Sequence, residues 1–264
     1  MTISSDPSAI DRTFTALRAE GRSGLVPYLT AGFPTVDASR DALRAAAEHC
    51  DILEVGVPFS DPVADGPTIQ ASTFQALANG MTLPRTLELI HQADVQRPVV
   101  LFSYLNPVLQ YGIDRLLVDA AAIGVSGILL TDLPAGTDPA FESTIGQSPL
   151  DLIRLVAPTT RADRLARAVA GAEGFIYLVA RLGVTGASRE LATGLAENVA
   201  RLRDVTPLPI AVGFGISTPD QARAVAGLAD GVVVGSALVD VLGAEGVPAA
   251  ARFLAGLRSA LDGR

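Results

Sequence analysis

The sequence contains no lysine; all 20 of its basic residues are arginines. A chain without lysine cannot form a lysine imine, so Schiff-base chemistry on its own side chains is excluded. Histidine is nearly as scarce. His49 and His91 lie far apart, and Cys50 is the single cysteine. Two histidines and one thiol do not make a usual zinc ligand set, and a lone cysteine cannot close an internal disulfide. Cys50 therefore reads as a small buried apolar residue. The longest apolar runs, such as 99–102 and 231–234, are far shorter than the roughly 20 residues a membrane span requires. The formal charge is −8, and the arginines are scattered from Arg12 to Arg264 without a stripe, so a nucleic-acid backbone finds no electrostatic footprint. The opening MTISSDPSAIDR lacks the basic start and apolar core of a secretory signal, which makes the cytoplasm the expected compartment. Carboxylates, hydroxyls and backbone groups are left to carry any chemistry.

The 264 residues are 49% hydrophobic and 18% charged, the composition of an ordinary globular protein, and the length suits one domain over 1–264. Eight short β-rich runs recur along the chain: LVPYLT from Leu25, DILEVGV from Asp51, PVVLFSY from Pro98, GILLTDL from Gly127, LDLIRLVA from Leu150, GFIYLVA from Gly174, PLPIAVGFG from Pro207 and ADGVVVGS from Ala229. Each is bounded by Gly, Pro or Asp. Between them, stretches such as 38–49, 82–93, 163–170, 191–203 and 219–226 place apolar residues at helical spacing. Near-continuous apolar strands alternating with helices indicate a parallel sheet covered on both faces, and eight such units predict a (β/α)8 TIM barrel with an extra N-terminal helix over 9–20. A doubly wound open sheet is the alternative fold.

In such barrels the chemistry sits at the C-terminal ends of the strands. The run LEVGVPFSDPVADGPTIQ puts Glu54 inside an otherwise apolar strand and follows it with Asp61 and Asp65 in a loop of prolines and glycines. A carboxyl removed from water must be neutralised or strongly partnered, which makes Glu54 a candidate general acid or base, with an ion-paired barrel residue as the competing reading. Asp65 reads equally as a catalytic carboxylate on a rigid loop or as a cap before a helix beginning near Thr68. The segment YLVARLGVTGASRE ends strand six with Gly183 and Gly186 around Thr185, a loop suited to closing over a ligand. Gly213, Gly215, Gly235 and Ser236 stand next to helix starts at the ends of strands seven and eight, where backbone N–H groups can hold an anion or simply make tight turns. Tyr28, Tyr104, Asn106, Asp132 and Tyr177 are candidate pocket lining.

The run Leu53 to Gln70, followed in order by LTDLP, LVAPTT, RLGVTG, GFGIS and GSA and preceded by YLTAGFP, resembles the tryptophan synthase alpha chain family along nearly the whole sequence. The resemblance implies a lyase that cleaves indole-3-glycerol phosphate. It implies Glu54 as the catalytic glutamate, Asp65 as the aspartate supporting the indole nitrogen, and Thr185 as the lid threonine that closes against it. Gly186, Gly215, Gly235 and Ser236 match phosphate-binding positions; Tyr177 matches a tyrosine close to the glutamate, and Tyr104 is carried as a further substrate contact. It also implies a beta chain partner in an alpha2-beta2 heterotetramer, with pyridoxal phosphate in the partner and no cofactor in this chain. Two positions depart from the common pattern: Phe33, where many members have aspartate, and Ala180, where many have a serine before the lid.

The chemistry agrees with the inventory. Splitting a carbon–carbon bond beside a hydroxyl needs an electron sink, and without lysine or metal ligands the sink lies in the substrate, as an indole protonated at C3. A sister barrel such as indole-3-glycerol phosphate synthase or phosphoribosylanthranilate isomerase shares the glycine sites, but the synthase depends on a catalytic lysine. A non-catalytic barrel that only activates a partner, and a free-standing lyase, are the remaining alternatives.

Overall fold

The computed structural model describes residues 6–179, 188–213 and 215–263. Eight parallel strands close into a barrel in sequence order: β1 (Gly24–Thr30), β2 (Leu53–Gly56), β3 (Val99–Ser103), β4 (Val125–Leu130), β5 (Asp151–Val156), β6 (Ile176–Val179), β7 (Ile210–Gly213) and β8 (Gly231–Val234). The pairing of β8 with β1, from Gly24↔Gly231 to Pro27↔Val234, shuts the ring and rules out the open sheet. The helices are α1 (Ala9–Ala19), α2 (Val36–Ala47), α3 (Pro67–Ala78), α4 (Leu83–Ala93), α5 (Leu105–Tyr111), α6 (Ile113–Ala122), α7 (Pro139–Gly146), α8 (Ala162–Ala168), α9 (Ser188–Arg203), α10 (Pro219–Ala226), α11 (Ser236–Glu245) and α12 (Val247–Leu261). All eight expected strands are present, and α1 is the expected extra helix.

Strand alternation sorts the core into two shells. Val26, Val100, Leu129, Ile153, Phe175, Ala211 and Val233 pack inside the barrel, while their neighbours Leu25, Leu101, Ile128, Leu152, Ile176, Ile210 and Val232 face the helices. Helix α1 closes the N-terminal end of the ring. Ser8 starts it with a capping box, accepting from the Asp11 N–H at 3.0 Å, and Ile10, Phe14 and Leu17 are turned inward and buried. Each contributes on the order of 2 kcal/mol of apolar burial. The helix can approach because β1 and β8 begin with glycine. A Cβ at Gly24 would lie 3.2 Å from Leu17, and one at Gly231 would lie 3.4 Å from Phe14. With that end filled, the C-terminal mouth is left for a ligand.

Candidate active site

Glu54 is the inward residue of β2, held between outward-facing Leu53 and Val55. Its register partners are Tyr28 on β1 and Val100 on β3. The side chain is 0% exposed, and neither carboxylate oxygen has a hydrogen-bond partner. Burial without compensation pushes its pKa up to about 8, so at neutral pH it is an acid holding its proton. The ion-pair reading of Glu54 does not hold: no cation meets it among the described residues.

Asp65 stands above it in the β2–α3 loop. Pro67 opens α3 and holds Gly66 extended as its N-cap, with no side-chain capping bond, so Asp65 is not the helix cap. The loop is pinned internally: Asp65 N–H donates to the Pro62 carbonyl at 3.1 Å, and the Gln70 amide donates to the carbonyls of Pro62 (3.2 Å) and Asp65 (3.0 Å). Partial burial raises the Asp65 pKa to about 6, opposed by a hydrogen bond from Tyr104.

Two tyrosines each lean over the neighbouring strand at the mouth of the barrel. A Cβ at Gly56 would lie 2.0 Å from the Tyr28 hydroxyl, and one at Gly213 would lie 2.3 Å from that of Tyr177. These two glycines are the space the tyrosines occupy. The Tyr28 ring meets Phe102 edge-on, with centroids 5.3 Å apart. The N-terminus of α11 begins at Gly235 and Ser236 without a side-chain cap, leaving its first N–H groups at the mouth.

One pocket, open to solvent, is lined by Tyr28, Glu54, Asp65, Gly66, Ile69, Phe102, Tyr177, Gly215, Gly235 and Ser236. It gathers seven of the residues singled out from sequence: Tyr28, Glu54, Asp65, Tyr177, Gly215, Gly235 and Ser236. Tyr104 is set one layer back, behind Asp65, where its hydroxyl accepts the Ala64 N–H at 2.9 Å and its ring packs on Phe59. Thr185 and Gly186, with Ala180 before them, lie outside the described residues. Phe33 is half-buried, its ring set against Gly243 of α11. The sequence reading missed Ile69 and Phe102, which are apolar residues in apolar elements; the register Gly56↔Phe102 is the signal that places Phe102 on the inner face beside Glu54's strand.

A closed parallel barrel whose open mouth presents a neutral unpartnered glutamic acid, an aspartate and an uncapped helix start defines an acid–base enzyme acting on a small molecule. The sequence matches the family described as "Tryptophan synthase alpha chain" over residues 14–254. It is 44% identical over 261 residues to the tryptophan synthase alpha chain of Geobacter sulfurreducens, covering 96% of this chain and 99% of that one. To the corresponding chain of Gluconacetobacter diazotrophicus it is 47% identical over 247 residues, covering 90% of each. The fold superimposes on Mycobacterium tuberculosis tryptophan synthase with a TM-score of 0.89 at 39% identity, covering 97% of this chain and 99% of that chain. For the alpha subunit of tryptophan synthase from Legionella pneumophila the TM-score is 0.88 at 32% identity, covering 98% and 100%. The chain belongs to the tryptophan synthase alpha chain family. It is a lyase of tryptophan biosynthesis that cleaves indole-3-glycerol phosphate to indole and glyceraldehyde 3-phosphate.

Proposed function

We propose that Glu54 is the acid–base group of this cleavage and Asp65 its electrostatic partner. The observation that carries the reading is Glu54 itself, a buried carboxyl with no partner of its own beside an open cavity. Its proton passes to C3 of the indole ring, which becomes an electron-accepting indolenine. The glycerol hydroxyl beside the ring then gives up its proton to the Glu54 carboxylate, the carbon–carbon bond breaks into the ring, and the glycerol fragment leaves as the aldehyde. Asp65 accepts a hydrogen bond from the ring N–H as positive charge develops there. Each carboxylate contributes on the order of 10²- to 10⁴-fold. Tyr28, Phe102, Ile69 and Tyr177 form the walls of the ring's slot.

Gly186, Gly215, Gly235 and Ser236 hold the phosphate through backbone N–H groups and the start of α11, which suits a chain of net charge −8 whose described residues bring no basic side chain to the cavity. Thr185 closes over the ligand. The cytoplasm is the compartment, one domain spans the chain, and a beta chain carrying pyridoxal phosphate receives the indole in an alpha2-beta2 complex. Val63 is 85% and Leu109 54% exposed; Val63 on the β2–α3 loop and Leu109 in the helix that follows β3 give a partner apolar contacts beside the mouth. A partner ordering these loops lowers the entropic cost of assembling the site.

The test is indole release from indole-3-glycerol phosphate by the purified chain, titrated with a beta chain and repeated with Glu54→Gln and Asp65→Asn. Both variants should lose at least about 100-fold in kcat, and the beta chain should raise the rate. An active Glu54→Gln chain would remove Glu54 from the role. One rate at every beta concentration, with no complex on a sizing column, would make the chain a free-standing lyase.

A further inference from the structure

The loop bearing Asp65 is held by contacts that begin on the far side of the barrel wall. Arg154 on β5 faces outward, is 3% exposed, and forms an ion pair with Glu142 of α7. Its Nη1 donates to the Leu133 carbonyl at 3.2 Å, and Glu142 Oε1 accepts the Gly136 N–H at 2.8 Å. One buried pair thus fastens the β4–α7 loop at two points. At the head of that loop, Asp132 Oδ1 accepts the N–H of Leu105, the first residue of α5, at 2.7 Å. Beside it, Thr131 N–H donates to the carbonyl of Ser103, the residue before Tyr104, at 3.0 Å. Tyr104, the N-cap of α5, in turn accepts the N–H of Ala64, the residue next to Asp65 in the β2–α3 loop, at 2.9 Å. A buried ion pair is a poor source of net stability, but it is an effective fixture of position.

We propose that Asp132, backed by the Arg154–Glu142 pair, is a positioning residue for the lyase reaction: it fixes Tyr104 and, through Tyr104, sets the Asp65 loop at the height the reacting ring requires. The inference rests on the role of Asp65 given above. Asp132 touches no wall of the cavity and acts through the backbone of α5. A carboxylate displaced by about 1 Å costs up to roughly 10²-fold, so losing one link of the relay should cost about tenfold.

The experiment measures kcat and KM for indole-3-glycerol phosphate in the full chain carrying Asp132→Ala, Asp132→Asn, Tyr104→Phe, and Asp132→Ala with Tyr104→Phe. Asp132 is exposed, so the alanine variant should fold, and its thermal midpoint verifies this. Asp132→Ala should lower kcat about tenfold and leave KM within about twofold, because the lost alignment matters in the transition state. Asp132→Asn keeps the acceptor oxygen and should restore kcat to within about twofold. The double variant should lose little more than Tyr104→Phe alone, since both act on one path. Unchanged kcat in Asp132→Ala, an asparagine variant as damaged as the alanine, or additive losses would each overturn the relay. Asp65→Asn separates the two ideas: if it retains turnover, the reading of Asp65 fails, whereas its loss of turnover beside full activity in Asp132→Ala overturns the relay alone.

Discussion

Replacing Glu54 by glutamine tests the buried acid through stability as well as rate. In the unfolded chain this carboxyl ionises near pH 4.5; in the folded barrel it holds its proton up to about pH 8. Between those values the native state binds more protons than the unfolded state, so native stability falls as pH rises and levels off above pH 8. The slope is about 1.4 kcal/mol per pH unit, which makes the penalty roughly 3 kcal/mol at pH 7. Glutamine fills the same volume, leaves a buried polar group much as the acid does, and does not ionise, so it removes the slope. For a chain of this size roughly 3 kcal/mol corresponds to a rise in Tm of about 5–10 °C at pH 7, shrinking toward zero near pH 4.5. Thermal melts of both proteins from pH 5 to 9 measure the gap directly. A gap that does not widen with pH, or a glutamine variant less stable than the parent at pH 8, would refute the assignment of a neutral unpartnered acid.

The pH dependence of kcat/KM should be bell-shaped, falling below about pH 6 as Asp65 gains the proton that stops it accepting the ring N–H, and above about pH 8 as Glu54 loses the proton it must donate. A profile flat from pH 5 to 9 would contradict both roles. Gly213→Ala puts a Cβ 2.3 Å from the Tyr177 hydroxyl and 2.9 Å from Val233, so the tyrosine must leave its seat. Overpacking of this kind costs about 1–3 kcal/mol, and both Tm and kcat/KM should fall; a fully active variant of unchanged Tm would show that the seat is not needed. Ser236→Asp sets a negative charge where the phosphate is proposed, so KM for indole-3-glycerol phosphate should rise about tenfold or more while free indole binds as before. Equal losses for both ligands would mean general damage.

What could be read from the chain and what could not follow from the range of the interactions. Glu54 stood out because one carboxylate in an apolar strand is a conflict between local composition and burial that either an ion pair or a function must resolve. The glycines before α11 were legible for a similar reason, as backbone signals at a strand end. Helices α5 and α6 escaped because a single residue, Gly112 at φ +89°, ends one and starts the other, so neither shows an ordinary polar cap. Helix α7 fell in 137–148, a stretch from which the sequence yielded nothing. Tyr104 was legible as a tyrosine at a strand end, yet its place behind Asp65 depends on the β2–α3 loop folding back to present Ala64, a contact across 40 positions. The distinction between the two shells of the barrel required strand register, which no periodicity over four to seven residues supplies.

The plug formed by α1 has an isotopic consequence. Since Ile10, Phe14 and Leu17 fill the N-terminal end of the ring, Glu54 meets bulk water by way of the C-terminal mouth, the same opening the substrate occupies. On the proposed role of Glu54, a substrate in that mouth would seal the acid away from solvent for the duration of the reaction. On that role, the hydrogen delivered to C3 would be the one Glu54 carried before binding, and the one it takes back would come from the substrate's own hydroxyl. If the enzyme–substrate complex is formed in light water and then diluted into heavy water, the indole released in that first turnover should carry light hydrogen at C3, because the acid is closed off once substrate is bound.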